Sequence, residues 1–164
     1  MKTISAHTKS KRGTQVVELA LVLPLLLFLA LAVSEGASMI RAHQVLNNAA
    51  REAARLSVFQ QNAGNIGFLQ DTATCYLIRN GIRPPAAQVP ASCPATAALS
   101  TCNSYVVNVN QAVLVPNGGV FIPASQVTVT CGYKLNFLPR LPWFGVNNVV
   151  KLFGEAEFRN FWKS

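Results

Sequence analysis

Fifteen apolar residues run without a break from Leu19 to Val33, and no other feature limits the possible folds of this chain so strongly. A spanning helix needs about 20 predominantly apolar residues. Residues 16–39 supply that length, about 36 Å of helix at the standard rise. A soluble core helix carries one apolar stripe, whereas residues 19–33 are apolar on every side. The chain of 164 residues is 51% hydrophobic and 12% charged, which excludes intrinsic disorder. One run accounts for most of the apolar excess, which excludes a polytopic membrane protein. About 100 residues remain for one small domain, whose core is marginal enough that disulfides would help.

Three readings of the run stand side by side. It reads as a secretory signal peptide, with small-residue cleavage sites at Ala30-Leu31-Ala32 and Ala32-Val33-Ser34. It reads equally as an uncleaved signal anchor. The third reading is a leader cut ahead of the apolar stretch, which leaves the helix in the mature protein. Glu18 lies inside the run, where a carboxylate costs about 2.5–3.5 kcal/mol to insert, a cost without purpose in a disposable segment. The helical pattern also continues past residue 34. Ala42, Val45, Leu46, Ala49, Ala53 and Leu56 recur on one face, with Arg41, Asn48, Glu52 and Arg55 opposite. One helix is therefore expected from about Thr14 to Phe59, spanning at about 16–39 and amphipathic at about 40–59.

The net charge is +8, and Lys2, Lys9, Lys11 and Arg12 all precede the first acid, Glu18. This asymmetry puts the N-terminus in the cytoplasm and the remainder outside the inner membrane. Elsewhere no basic helix face or aromatic-interleaved patch points to nucleic acid.

The segment Arg12-Gly13-Thr14-Gln15-Val16-Val17-Glu18 resembles a prepilin processing site: a basic residue and glycine, then cleavage, then glutamate at the fifth mature position. RGTQVVELALVLP, followed by LLLFLALAVSE and by Ala49-Ala50-Arg51-Glu52-Ala53-Ala54-Arg55, is similar to the TadE-like family of the tight-adherence pilus system. The resemblance covers about residues 12–56. It implies a bacterial minor pilin or pseudopilin, cut by prepilin peptidase between Gly13 and Thr14 and assembled with other pilins and the pilus secretion machinery for surface attachment. It further implies that the Glu18 carboxylate neutralises the free amine of a neighbouring subunit. Pro24 removes one helix hydrogen bond and should kink the helix locally.

Beyond the long helix, Asn62, Gly64, Asn65 and Gly67 break the pattern. Phe68–Asn80 reads as a second helix stopped by Gly81. The proline-rich residues 82–103 read as a loop. Tyr105–Val115, Gln126–Phe137 and Val149–Phe161 read as three antiparallel strands, with a turn at Pro116-Asn117-Gly118-Gly119 and a loop at 139–148. The fold class is α+β: a long N-terminal helix and a small antiparallel sheet with one short helix, the layout of a pilin. The expected organisation is a leader at 1–13, the long helix at 14–60 and an exported head at 61–164.

Cys75, Cys93, Cys102 and Cys131 all lie in the head, and an even count outside the cytoplasm reads as disulfides. Four cysteines allow three connectivities. The favoured one joins Cys93 to Cys102 across a loop and Cys75 to Cys131 between the second helix and the sheet. No metal site is expected, because there is no C-x-x-C pair and both His7 and His43 lie outside the head. No cofactor and no catalytic group is expected either. The head's acids are Asp71, Glu155 and Glu157, and the last two, with Arg159, read as a solvated strand edge. Two other outcomes remain: a binding domain held by an uncleaved anchor, and a secreted domain beginning at Glu35.

Overall fold

The computed structural model describes residues 10–62, 64–93, 96, 98–135 and 149–160, with side chains from Gln15 onward. Helix α1, Ser10–Ser57, is one unbroken element of 48 residues that runs through Pro24. It starts four residues before the expected Thr14 and takes Gly13 into continuous helical backbone. Residues 1–9 of the expected leader lie outside the described residues.

The two halves of α1 have different surroundings. From Gln15 to Ala30 every residue is exposed, leucines included. From Ala42 onward Leu46, Ala49, Ala50, Ala53 and Ala54 are fully buried or nearly so, while Arg41, Asn48 and Arg55 face outward. The alanines let the helix backbone sink onto the sheet. Ser57 donates its hydroxyl to the Ala54 carbonyl at 2.6 Å, and the Asn62 amide donates to the Leu56 carbonyl at 2.8 Å, so the last turn keeps partners for its exposed carbonyls.

A short 3-10 turn at Gln60–Asn62 and Gly64, at φ 80°, reverse the chain. The Asn65 side chain then accepts the Phe68 N–H at 3.2 Å and caps helix α2, Ile66–Arg79. α2 agrees with the expected helix to within two residues and buries Leu69, Ala73 and Leu77. Gly81, at φ 82°, ends it in the left-handed conformation open to glycine.

Among the described residues four strands follow, where three were expected. They are β1, Ile82–Arg83; β2, Ser100–Asn117; β3, Val120–Lys134; and β4, Val149–Arg159, in sheet order β1-β2-β3-β4. β1 pairs in parallel with Ser100 and Thr101, and the other neighbours are antiparallel. The expected loop at 82–103 thus contributes strand residues at both ends and a 3-10 turn at Ala86–Gln88. The prolines interrupt only its middle. β3 stops at Lys134, three residues before the expected Phe137. Phe137, the loop at 139–148 and Phe161 lie outside the described residues. Asn117 pairs with Val120, and Gly118 and Gly119 both have positive φ, which is the two-residue hairpin geometry the sequence suggests.

The inner sheet face carries Val127, Val129, Cys131 and Tyr133 on β3 with Leu152, Gly154 and Ala156 on β4, all buried against α1 and α2. At the far end, buried Asn160 ties three strands together. It accepts from the Ser125 hydroxyl at 2.8 Å, donates its amide to the Gln111 carbonyl at 3.2 Å and donates its backbone N–H to Pro123 at 2.9 Å.

The disulfides are Cys75–Cys93 and Cys102–Cys131, which corrects the favoured pairing. The reason is a bulge. Cys102 pairs with Tyr133 and Tyr105 with Cys131, so β2 uses three steps where β3 uses two. The extra residue turns Cys102 onto the inner face, beside Cys131. Cys93 sits in the stretch that passes back over α2, where it meets Cys75.

Candidate functional site: the bare half of α1 and its junction with the head

Gly13 and Thr14 lie on continuous helical backbone within α1. One turn further, Glu18 is exposed, as are Val16, Val17, Leu19 and Leu21 around it. Gln15, Glu18, Leu19 and Val22 line a surface depression of about 310 Å³. Among the described residues nothing forms a hydrogen bond or ion pair with the Glu18 carboxylate. It is an acid on a bare apolar helix. Pro24 stands six residues on, inside the same helix.

The bare half ends at a junction that the sequence does not single out. Glu35, two residues beyond the end of the apolar run, is only 9% exposed. It lies close enough to Tyr133 for its charge to help hold that phenol above its usual pKa, after the larger effect of burial. One turn later Ser38, Arg41 and Ala42 line a small cavity with Ile82, Leu99 and Tyr133. Helix, β1 and the end of β3 therefore meet where the bare half of α1 gives way to the head.

Deeper in the head, Tyr105 is buried and its hydroxyl is 3.0 Å from that of Thr74 on α2. Burial pushes the Tyr105 pKa up to about 12, and the hydrogen bond with Thr74 opposes the shift. This pair fastens α2 to β2. Glu155, Glu157 and Arg159 are exposed on β4, the edge strand. Glu155 accepts from the Gln126 amide, and its backbone N–H donates to Asn47 of α1 at 3.4 Å. On α1, Arg55 pairs with Glu52 at 3.0 Å. His43 contacts the Asn47 side chain at 3.2 Å and the Phe153 ring edge-on. Among the described residues no group of three or more His, Cys, Asp or Glu converges as metal ligands do.

The structure thus keeps Gly13, Thr14, Glu18 and Pro24 on one bare helix half and places the four cysteines in the head. Sequence reasoning passed over Gly154, where α1 crosses the sheet. A glycine inside a strand pattern is the sign that marks such a close approach. It also passed over Asn160, which carried no local sign.

These features define a class: a disulfide-bonded α+β head on one N-terminal helix long and apolar enough to cross a membrane. The family model for TadE-like protein matches residues 13–55, so the chain carries a TadE-like region, the mark of a protein associated with the tight-adherence pilus. The match ends two residues before the end of α1, and the whole sheet lies beyond it. Among curated proteins and solved structures, none matches the chain.

Proposed function

We propose that this protein is a non-enzymatic minor pilin or pseudopilin that takes part in assembling a tight-adherence pilus used in surface attachment. The observation that carries the reading is the division of α1. One half is packed into the head, and the other is apolar, uncovered and interrupted by a single carboxylate four residues after Thr14. A bare apolar helix needs either lipid or other helices around it. A carboxylate held there needs a partner of opposite charge. Prepilin peptidase cuts after Gly13, and the new amine of Thr14 on one subunit meets Glu18 of the next. The N-terminus faces the cytoplasm and the head lies outside the inner membrane, in an oxidising compartment that suits its two disulfides.

N-terminal sequencing of the protein from its native membrane tests this reading. Thr14 as the first residue is the expected result. Met1 would instead mean an uncleaved anchor carrying a binding domain, and Glu35 a secreted head. Either one overturns the pilin.

A further inference from the structure

The charges of the head are sorted along its length. Helix α1 runs beside β4: Ser38 and Arg41 share a cavity with Tyr133, Leu46 crosses Gly154, and the turn after α1 meets Gln111. The apolar half of α1 therefore leaves the head at the end formed by β1, the last residue of β3 and the first residues of β4. Five bases gather there: Arg41 on α1, Arg79 ending α2, Arg83 in β1, Lys134 ending β3 and Lys151 near the start of β4. All five are exposed. Leu99 and Val149, at the same end, are exposed apolar residues, Leu99 to 67%.

The exposed acids stand back from this end. Asp71 is about 12 Å along α2 from Arg79, although both line one groove with the half-buried Glu52, and Glu155 is about 13 Å along β4 from Lys151. Glu35 does lie at this end, but it is buried beside Tyr133. Arg79 therefore marks the border where bases begin to mix with acids, and among the described residues Arg41, Arg83, Lys134 and Lys151 form the part of this end without exposed carboxylates.

We propose that the end of the head from which the apolar helix emerges is a lipid-facing surface, on which these five bases rest against the anionic phospholipid headgroups of the bilayer that α1 enters. The proposal rests on reading α1 as a membrane span. Continuity selects the occupant: Arg41 follows directly on the apolar stretch, so a bilayer around that stretch brings its headgroups to the ring of bases. Bases near an anionic surface are attracted individually and screened by salt, and exposed apolar neighbours such as Leu99 add contact area in the interface.

The full chain, reconstituted in vesicles of phosphatidylcholine alone or mixed with phosphatidylglycerol, is footprinted with impermeant reagents. An acylating ester reads the lysines and a hydroxyphenylglyoxal reads the arginines. In the anionic vesicles the five bases should label more slowly by about fivefold, a factor typical of a base near a charged surface. About 0.5 M salt should restore the rates, while Arg51, Arg55 and Arg159 should stay unchanged. Charge reversal by R83E with K134E should remove the protection of Arg41 and Lys151. Equal rates on both vesicles, with the chain carbonate-resistant and inserted, would overturn the proposal and leave the span intact. Failure to insert would overturn both. Equal slowing of all arginines would mean general attraction rather than a seat, and would also overturn it. The same protection from soluble glycerol phosphate over neutral vesicles would replace the lipid surface with a small-anion site.

Discussion

Gly154 of β4 lies directly under Leu46 of α1, so closely that a Cβ on the glycine would stand 2.5 Å from the Leu46 carbonyl oxygen and from the Asn47 amide nitrogen. Backbone meets backbone here, and neither side can rotate away. Gly154→Ala should therefore lift the helix from the sheet and destabilise the head by about 1–3 kcal/mol or more. Gly67 in α2 has open space around its would-be Cβ, and Gly67→Ala should stabilise by about 0.5–1 kcal/mol. Urea unfolding of the detergent-solubilised chain measures both. A Gly154→Ala variant as stable as wild type, or more stable, would mean that the crossing is not tight.

Tyr105 makes the head sensitive to alkali. Its phenol is neutral in the folded state up to about pH 12, whereas the unfolded phenol ionises near 10.0. The folded pKa is the higher one, so the stability it contributes is complete below pH 10 and is lost as pH rises towards 12. Two units correspond to about 2–3 kcal/mol. Tyr105→Phe should flatten this part of the stability profile, at the expense of the Thr74 hydrogen bond. Tyrosinate absorbance against pH, followed alongside unfolding, tests it; a Tyr105 that ionises near 10 in the folded protein would contradict the burial.

Peptide mapping without reductant should return one linked pair containing Cys75 and Cys93 and another containing Cys102 and Cys131. None of the four should react with an alkylating reagent until reductant is added. Opening either bridge should cost about 3–4 kcal/mol by loop entropy. Cys102→Ala with Cys131→Ala should cost more than the other pair, because Cys131 is fully buried and Cys75 and Cys93 are half-exposed.

Glu18→Ala makes α1 more apolar, so insertion should be easier. The variant should be made, inserted and cut to Thr14, yet fail to crosslink to partner pilins in the membrane. Glu18→Asp keeps the charge with a shorter reach and should be intermediate. Wild-type crosslinking by processed Glu18→Ala would make the carboxylate a bystander at the interface.

The long helix, its change of character near residue 40, the TadE-like spacing of Gly13, Glu18 and the 49–55 segment, and the two-glycine hairpin turn were all legible in the sequence. Each depends on neighbours within a few residues, where periodicity and backbone preference decide the outcome. The α+β class followed from the same local patterns. Tertiary structure alone decided the rest. The short β1 has no pattern of its own and exists because Ser100 and Thr101 offer it partners. The disulfide pairing turned on one extra residue between Cys102 and Tyr105, which changes the face that a cysteine occupies while leaving the local composition unchanged. The burial of Glu35 beside Tyr133, the crossing of Leu46 over Gly154, and the gathering of Arg41, Arg83, Lys134 and Lys151 at one end join residues far apart in the chain. Such meetings are set by how helix and sheet pack, and no window of local sequence contains both partners.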